Sequence, residues 1–457
     1  MSASPHAVHR VARDYCLAPG RSVDAPIAGA RYGRMFGGLP PLHVDSDVLV
    51  RAGESGGICD SGAVLADLAG DRDEGYGAAG WPFFGQLVAH DITADRSPVG
   101  TEEDIDQLRN SRSPRMNLEM VYGDGPTGMP YLHDLTDPPK LLIGPNGGDL
   151  PRNSQGIALI GDPRNDVHLF VASLHLALLH AHNGLVDRLR ADGVEDRDLY
   201  DAARRALTWH YQWIVVHDLL PRLVDRELID DILQHGGRWY APPAGEAFIP
   251  VEFADAAYRY GHGQIRASYR LTSGGPAFPL FPDLIGLGPI PDEHRLDWAV
   301  LFDFPDRPPA QRAKRLDGRL AASLIGLPHQ LTGDTSAAYQ SLAVRDLIRG
   351  RTTDLPSGET IAAHIGATVL TRDQIGHGWP DGTPLWFYTL KEAEYLGKGE
   401  RLGPVAGRIV AEVLLGLLRA DSTSFLSAEP HWRPSLPHSG PTFGLADLLG
   451  FATSRQS

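Results

Sequence analysis

The sequence predicts a mainly α fold, a single large helical domain with long structured loops and little β structure. Three observations predict it. Apolar residues recur at helical spacing through two long stretches, one carried by LFVASLHLALLHAHNGLVDRLRA and the next by DLYDAARRALTWHYQWIVVHDLL. Strand signals are few and short, with no strand–helix alternation and no internal repeat. The 36 prolines and 51 glycines are spread along the chain, which implies many connections between helices. With 457 residues, 42% hydrophobic and 22% charged, the chain can bury a large core. The expected organisation is an N-terminal extension over 1–29, one domain over 30–430 and a tail over 431–457.

In chain order, residues 1–40 read as irregular, ending in the turn-rich GGLPP. A helix is expected over 79–92. Residues 95–160, rich in Gly, Pro, Asp and Asn, read mostly as loop. The first long helix covers 165–192, with Gly193 as its stop, and the second covers 196–220, bent or ended near Pro221. Shorter helices are expected at 222–235, 252–265, 309–324, 339–349, 390–396 and 404–419.

The bulk numbers exclude some functions. A net charge of −15 disfavours a nucleic-acid or anionic-membrane surface. The two cysteines, Cys16 and Cys59, exclude a disulfide framework and suit a reducing compartment. The opening MSASPHAVHRVARDYC has no apolar h-region, so no secretory signal is expected. No run of about 18 apolar residues predicts a membrane span. A cytoplasmic location and no obligate protein partner are the resulting expectations.

Three patterns compete for chemistry. GESGG (53–57) fits the G-x-S-x-G nucleophile pattern around Ser55, and the VLVRA before it could be a strand, which makes a serine hydrolase the alternative from another class. That elbow needs a parallel sheet beneath it and a helix directly after it, and neither is signalled. GDGPTG (123–128) fits G-x-G-x-x-G, but Pro126 and Pro130 oppose the helix that a dinucleotide turn must open. His168, His175, His180 and His182 share a helix at spacings that do not converge on zinc, so packed or hydrogen-bonded roles are expected.

A different set of residues carries more. In GQLVAHD (85–91), Gln86 and His90 are four apart and share a helix face, while Asp91 points about 100° away. GDPRND places Arg164 at a helix entrance. AYRYGHGQI places Arg259 three residues before His262, and LAVRDLIRGRTTDLPSG carries Asp346. With these segments in this order, the chain resembles the animal haem peroxidases, especially their short bacterial members. GQLVAHDIT is similar to the family's distal motif, GDPRND to its catalytic-arginine segment and AYRYGH to its proximal motif. RGRTTDLPSG and LGPVAGRIVAEVLLGLL also resemble family segments, and the likeness covers about residues 30–425.

The resemblance implies a helical domain around a non-covalent haem b, with a calcium ion. It implies a peroxidase that reduces hydrogen peroxide and oxidises small organic or halide donors through ferryl intermediates; a haem-dependent dioxygenase or tailoring oxidase is the alternative. His90 would be the distal acid–base group, Arg164 the cation that stabilises the leaving oxygen, and Gln86 a hydrogen-bond partner of water or peroxide. His262 would ligate iron, Asp346 would accept from its imidazole, and Arg259 would pair with a propionate. Calcium would take Asp91, Ser113, the Arg115 carbonyl, Asn117 and Glu119, although the family often has Asp and Ser at the last two side-chain positions. The positions that form haem esters in myeloperoxidase-like members are Ala89 and Val167 here. Arg259 stands where cyclooxygenases carry their radical tyrosine; Tyr258 and Tyr260 flank it and are expected to face elsewhere.

Overall fold

The computed structural model describes residues 32–62, 74–94, 108, 110–333 and 336–454. Helices dominate. In chain order they include α1 (Ser46–Gly53), α2 (Trp81–Ile92), α3 (Leu169–Ala191), α4 (Asp196–Ile214), α5 (Arg226–His235), α6 (Leu342–Thr352), α7 (Gly358–Ile365), α8 (Leu385–Tyr395), α9 (Pro404–Ala420) and α10 (Leu445–Thr453). The sheets among the described residues are two-stranded scraps. Tyr32–Gly33 runs parallel to Ile249–Pro250, Glu74–Ala78 antiparallel to Arg312–Lys314, and Ser268–Arg270 antiparallel to Ala277–Pro279.

The centre of the core is α3. Its side chains from Leu169 to Leu179 are buried without interruption, because α2, α4 and α10 all pack on it. By length and composition α3 could cross a membrane, but 89% of its apolar window is buried inside the fold, the signature of a core helix. Asp162 caps the short turn Pro163–Asp166 that leads into it, and His168 caps α3 itself through Val171 N–H. The second long stretch ends its α-helical course at Ile214 and continues through a π turn, Val215–Leu219, into Leu220–Leu223. The wider turn accommodates Pro221, which has no N–H to give.

Three expectations change. Residues 309–324 are not a helix: Arg312–Lys314 pairs with Glu74–Ala78, and only Ala322–Ile325 is helical. Pro308 and Pro309 block an early start, Gly318 packs against Phe387, and strand pairing overrides local propensity. Residues 252–265 divide into a single α turn, Val251–Ala254, and a 3-10 run, Ala257–Gln264. VLVRA lies within α1, and Ser55 sits exposed in the turn after it, so no strand–elbow–helix exists there. α1 instead lies flat on α6, close enough that a Cβ on Gly53 would meet Val344 N at 2.6 Å.

Candidate active site

A cavity of about 250 Å³ opens between α2, the entrance to α3 and the 3-10 run. Gln86 and His90 reach it from α2, Arg164 from the turn before α3, and Arg259 and His262 from the 3-10 run. Leu280, Phe281, Leu324 and Leu327 contribute an apolar wall.

On the α2 side His90 is buried, with Nδ1 2.7 Å from Asn165 Oδ1. An amide oxygen only accepts, so Nδ1 carries the proton and Nε2 keeps its lone pair. Asn165 is itself held, its amide nitrogen donating to His175 Nδ1 at 3.0 Å and meeting Met120 Sδ at 3.2 Å. Burial, assisted by the Arg164 cation, lowers the His90 pKa to about 3; Asp162 and the bond to Asn165 oppose the shift. The imidazole is therefore neutral and able to accept a proton.

Arg164 is fixed by two partners. Nη2 donates to the His90 carbonyl at 2.9 Å and to Asp162 Oδ2 at 2.8 Å, and Nε donates to Asp162 Oδ1 at 3.0 Å. Arg112 grips the same carboxylate, through Nη2 at 2.6 Å and Nε at 2.9 Å. Burial disfavours ionisation of Asp162, but the Arg164 and Arg112 guanidiniums outweigh it and hold the carboxyl below its usual range.

On the 3-10 run, His262 Nδ1 lies 2.6 Å from Asp346 Oδ2, and Arg259 Nη1 donates to Asp346 Oδ1 at 2.9 Å. One fully buried carboxylate clamps both. Arg259 also meets Asp255 at 3.4 Å and the Ala254 carbonyl at 2.8 Å. Its charge is thus largely answered within the protein, although the side chain still lines the cavity. With Nδ1 committed to Asp346, the Nε2 edge of His262 is the one left for the cavity.

Tyr258 and Tyr260 line the cavity as well, contrary to expectation. The long phenols reach across to α2, where Gly85 leaves room: a Cβ there would lie 3.4 Å from Tyr260 Oη and 4.0 Å from Tyr258 Oη. Tyr258 Oη is buried without a hydrogen-bond partner. Ala89 and Val167 also line the cavity, and neither carries a carboxylate.

Asp91 points away from the cavity toward the 113–119 loop. Leu118 N–H donates to Asp91 Oδ2 at 3.0 Å, while Oδ1 is buried and unpartnered. In the loop, Ser113 Oγ donates to Glu119 Oε2 at 2.6 Å and Asn117 Oδ1 accepts from Glu119 N–H at 3.1 Å. Arg115 is exposed, and Arg112 Nη1 reaches Glu119 Oε1 at 3.2 Å. Burial, with the nearby Glu119 charge adding to it, pushes the Asp91 carboxyl up to about 7. Among the described residues no group of three or more His, Cys, Asp or Glu is placed to hold a metal. The α3 histidines diverge as expected: His180 bonds the Gly147 carbonyl, and His182 lies between Tyr122 Oη and the Pro139 carbonyl.

Sequence reasoning missed Asp162, Asn165 and the siting of His168, whose Nε2 lies 2.8 Å from Gln86 Oε1 at the cavity wall. The signal for the first two was their place beside Arg164 in GDPRND. His168 gave none, because its role depends on where α3 begins.

The profile of the animal haem peroxidase family matches residues 100–280. Heme peroxidase 2 of Caenorhabditis elegans is 30% identical over 178 residues, 35% of this chain and 25% of that protein. Human lactoperoxidase is 24% identical over 329 residues, 65% of this chain and 43% of that protein. The chain thus spans less than half the length of these relatives. Among solved structures, peroxidase A from Dictyostelium discoideum superposes with a TM-score of 0.64 at 14% identity, covering 93% of each chain. The fatty acid alpha-dioxygenase of Arabidopsis thaliana superposes at 0.56 and 14% identity, covering 99% of this chain and 83% of that one. These likenesses concern the fold. The profile match and the peroxidase relatives show that residues 100–280 are similar to the animal haem peroxidase family.

Proposed function

We propose that the chain is a haem-dependent peroxidase that reduces hydrogen peroxide and oxidises small organic or halide donors. One observation carries the reading. A neutral imidazole with a free lone pair, a buried guanidinium and a second imidazole backed by a buried carboxylate all line one cavity. The cavity fits a flat apolar macrocycle: it has an apolar wall, a ligating nitrogen edge on one face and a phenol with no protein partner. His262 would hold the iron through Nε2, and with Ala89 and Val167 at the ester positions the haem would be bound without covalent links. When bound, the haem supplies the metal centre at which peroxide is reduced. His90 Nε2 takes the proton from one peroxide oxygen and delivers it to the departing one, and Asn165 holds the Nδ1–H tautomer that makes this possible. Arg164, buried and always cationic, stabilises the negative charge that develops on the departing oxygen. Asp346 makes His262 a more basic ligand.

The Asp91 region fits a hard cation. Its orphaned carboxylate oxygen and the all-oxygen set of Ser113, Asn117, Glu119 and the Arg115 carbonyl suit calcium, which would tie the back of α2 to the loop and steady His90. Reconstitution with haem tests the main reading. A Soret band and peroxide-dependent oxidation of guaiacol are expected, and His90→Ala should keep the band while losing about 10²–10⁴-fold in the peroxide reaction. No Soret band, or wild-type rates in that variant, would overturn it.

A second reading, a haem-dependent dioxygenase on an apolar substrate, is favoured by Tyr258 and Tyr260 on the cavity wall and by the apolar side formed by Leu280 and Phe281. Oxygen uptake with fatty acids, absent with guaiacol and peroxide, would select it.

A further inference from the structure

The cavity holds a third histidine that none of the roles above uses. His168 stands at the junction of the Pro163–Asp166 turn and α3, is 4% exposed, and packs its ring edge-on against Phe83 at 5.2 Å. Each ring nitrogen has one partner. Nδ1 lies 3.3 Å from Val171 N, a backbone donor at the first turn of α3, so Nδ1 accepts. Nε2 must then carry the proton, because burial keeps the ring neutral, with its pKa lowered to about 3. That N–H faces Gln86 Oε1 at 2.8 Å. The Gln86 carbonyl is thus held by His168, which leaves its NH2 group as the end available to the cavity.

We infer that His168 is a positioning residue that locks the Gln86 amide with its N–H donors toward the cavity. This rests on the haem reading. It turns the donor end of the Gln86 amide to the distal space and biases that space toward small hydrogen-bond acceptors, anions above all. Without His168 the amide could turn over and present an oxygen. A water in the vacated space would not restore the bias, because water donates and accepts equally.

Two variants remove the donor to Gln86 by different routes. His168→Phe keeps the aromatic packing. His168→Asn keeps a good helix cap but is too short to reach Gln86. Either one that folds suffices. The readout is the dissociation constant of fluoride from the ferric, haem-loaded protein, measured by the Soret shift. It is expected to weaken about tenfold or more, as for loss of one hydrogen bond to a charged partner. Gln86→Leu should weaken fluoride similarly, and adding either His168 change to Gln86→Leu should cost nothing further, since the second residue works only through the first. Fluoride affinity unmoved in a variant with a normal Soret band would overturn the inference and leave the haem reading standing. So would an equal loss on the Gln86→Leu background. Absence of a Soret band in the wild-type protein would overturn both.

Discussion

Asp346→Asn removes one negative charge from behind His262 and leaves the volume unchanged. The carboxylate accepts from His262 Nδ1 at 2.6 Å and from Arg259 Nη1 at 2.9 Å, and none of it is exposed. An asparagine offers one oxygen to these two donors, so its NH2 must confront either the imidazole N–H or the guanidinium. Breaking a buried charged pair typically costs about 3–5 kcal/mol. Arg259 is partly exposed and keeps Asp255 and the Ala254 carbonyl, which brings the expected loss to about 2–3 kcal/mol. In a chain this long the unfolding entropy is large, and that loss lowers Tm by only about 2–3 °C. The sharper readout is the ferric/ferrous potential of the haem-loaded protein. A less anionic axial ligand stabilises ferrous iron, and a differential effect of about 1–3 kcal/mol is about 40–130 mV upward at about 59 mV per 1.4 kcal/mol. Spectroelectrochemical titration measures it. A potential that stays within about 20 mV of wild type, or falls, would refute the coupling and reduce Asp346 to a structural clamp.

Three further predictions follow from other parts of the site. Asn165→Leu deprives His90 Nδ1–H of its acceptor and should slow the peroxide reaction about 10–100-fold at unchanged haem content, as stopped-flow absorbance would show. In EDTA, Asp91 should make the wild-type protein lose stability relative to Asp91→Asn as pH rises from about 4 through 7. The native carboxyl is raised to about 7 and keeps a proton that the unfolded chain releases near 3.8, so up to roughly 4 kcal/mol is present at low pH and lost on the alkaline side. Added calcium should abolish that difference in denaturant titrations at pH 7. Acidic organic extraction should release unmodified haem, since Ala89 and Val167 cannot form esters, and taurine trapping near neutral pH should detect no hypochlorous acid while iodide and phenols are oxidised.

Much of the site could be read from sequence because its residues lie on regular elements. Gln86 and His90 are one turn apart on α2, and helical periodicity alone puts them together and Asp91 behind. The long helices were legible for the same reason: α3 and α4 bury continuous apolar faces. What stayed hidden depends on contacts between distant segments. The likeness to a known family pointed Asp346 at His262, 84 residues away, but the same carboxylate's grip on Arg259, which was expected on a propionate, is a tertiary fact. The strand at Arg312–Lys314 exists only because Glu74–Ala78 lies beside it. The position of Tyr258 and Tyr260 depends on the empty side of Gly85, which no periodicity reveals.

The winding of Ala257–Gln264 has a mechanical consequence. At three residues per turn, side chains three apart stand in one column, whereas an α-helix would leave them about 60° out of line. The column is what lets a single carboxylate brace a guanidinium and an imidazole at once. The imidazole is thereby fixed in azimuth by the backbone's pitch and in tilt by a strut from α6. Relaxing this run to an ordinary α-helical pitch would rotate the ring off its brace and carry Tyr258, Arg259 and Tyr260 round with it.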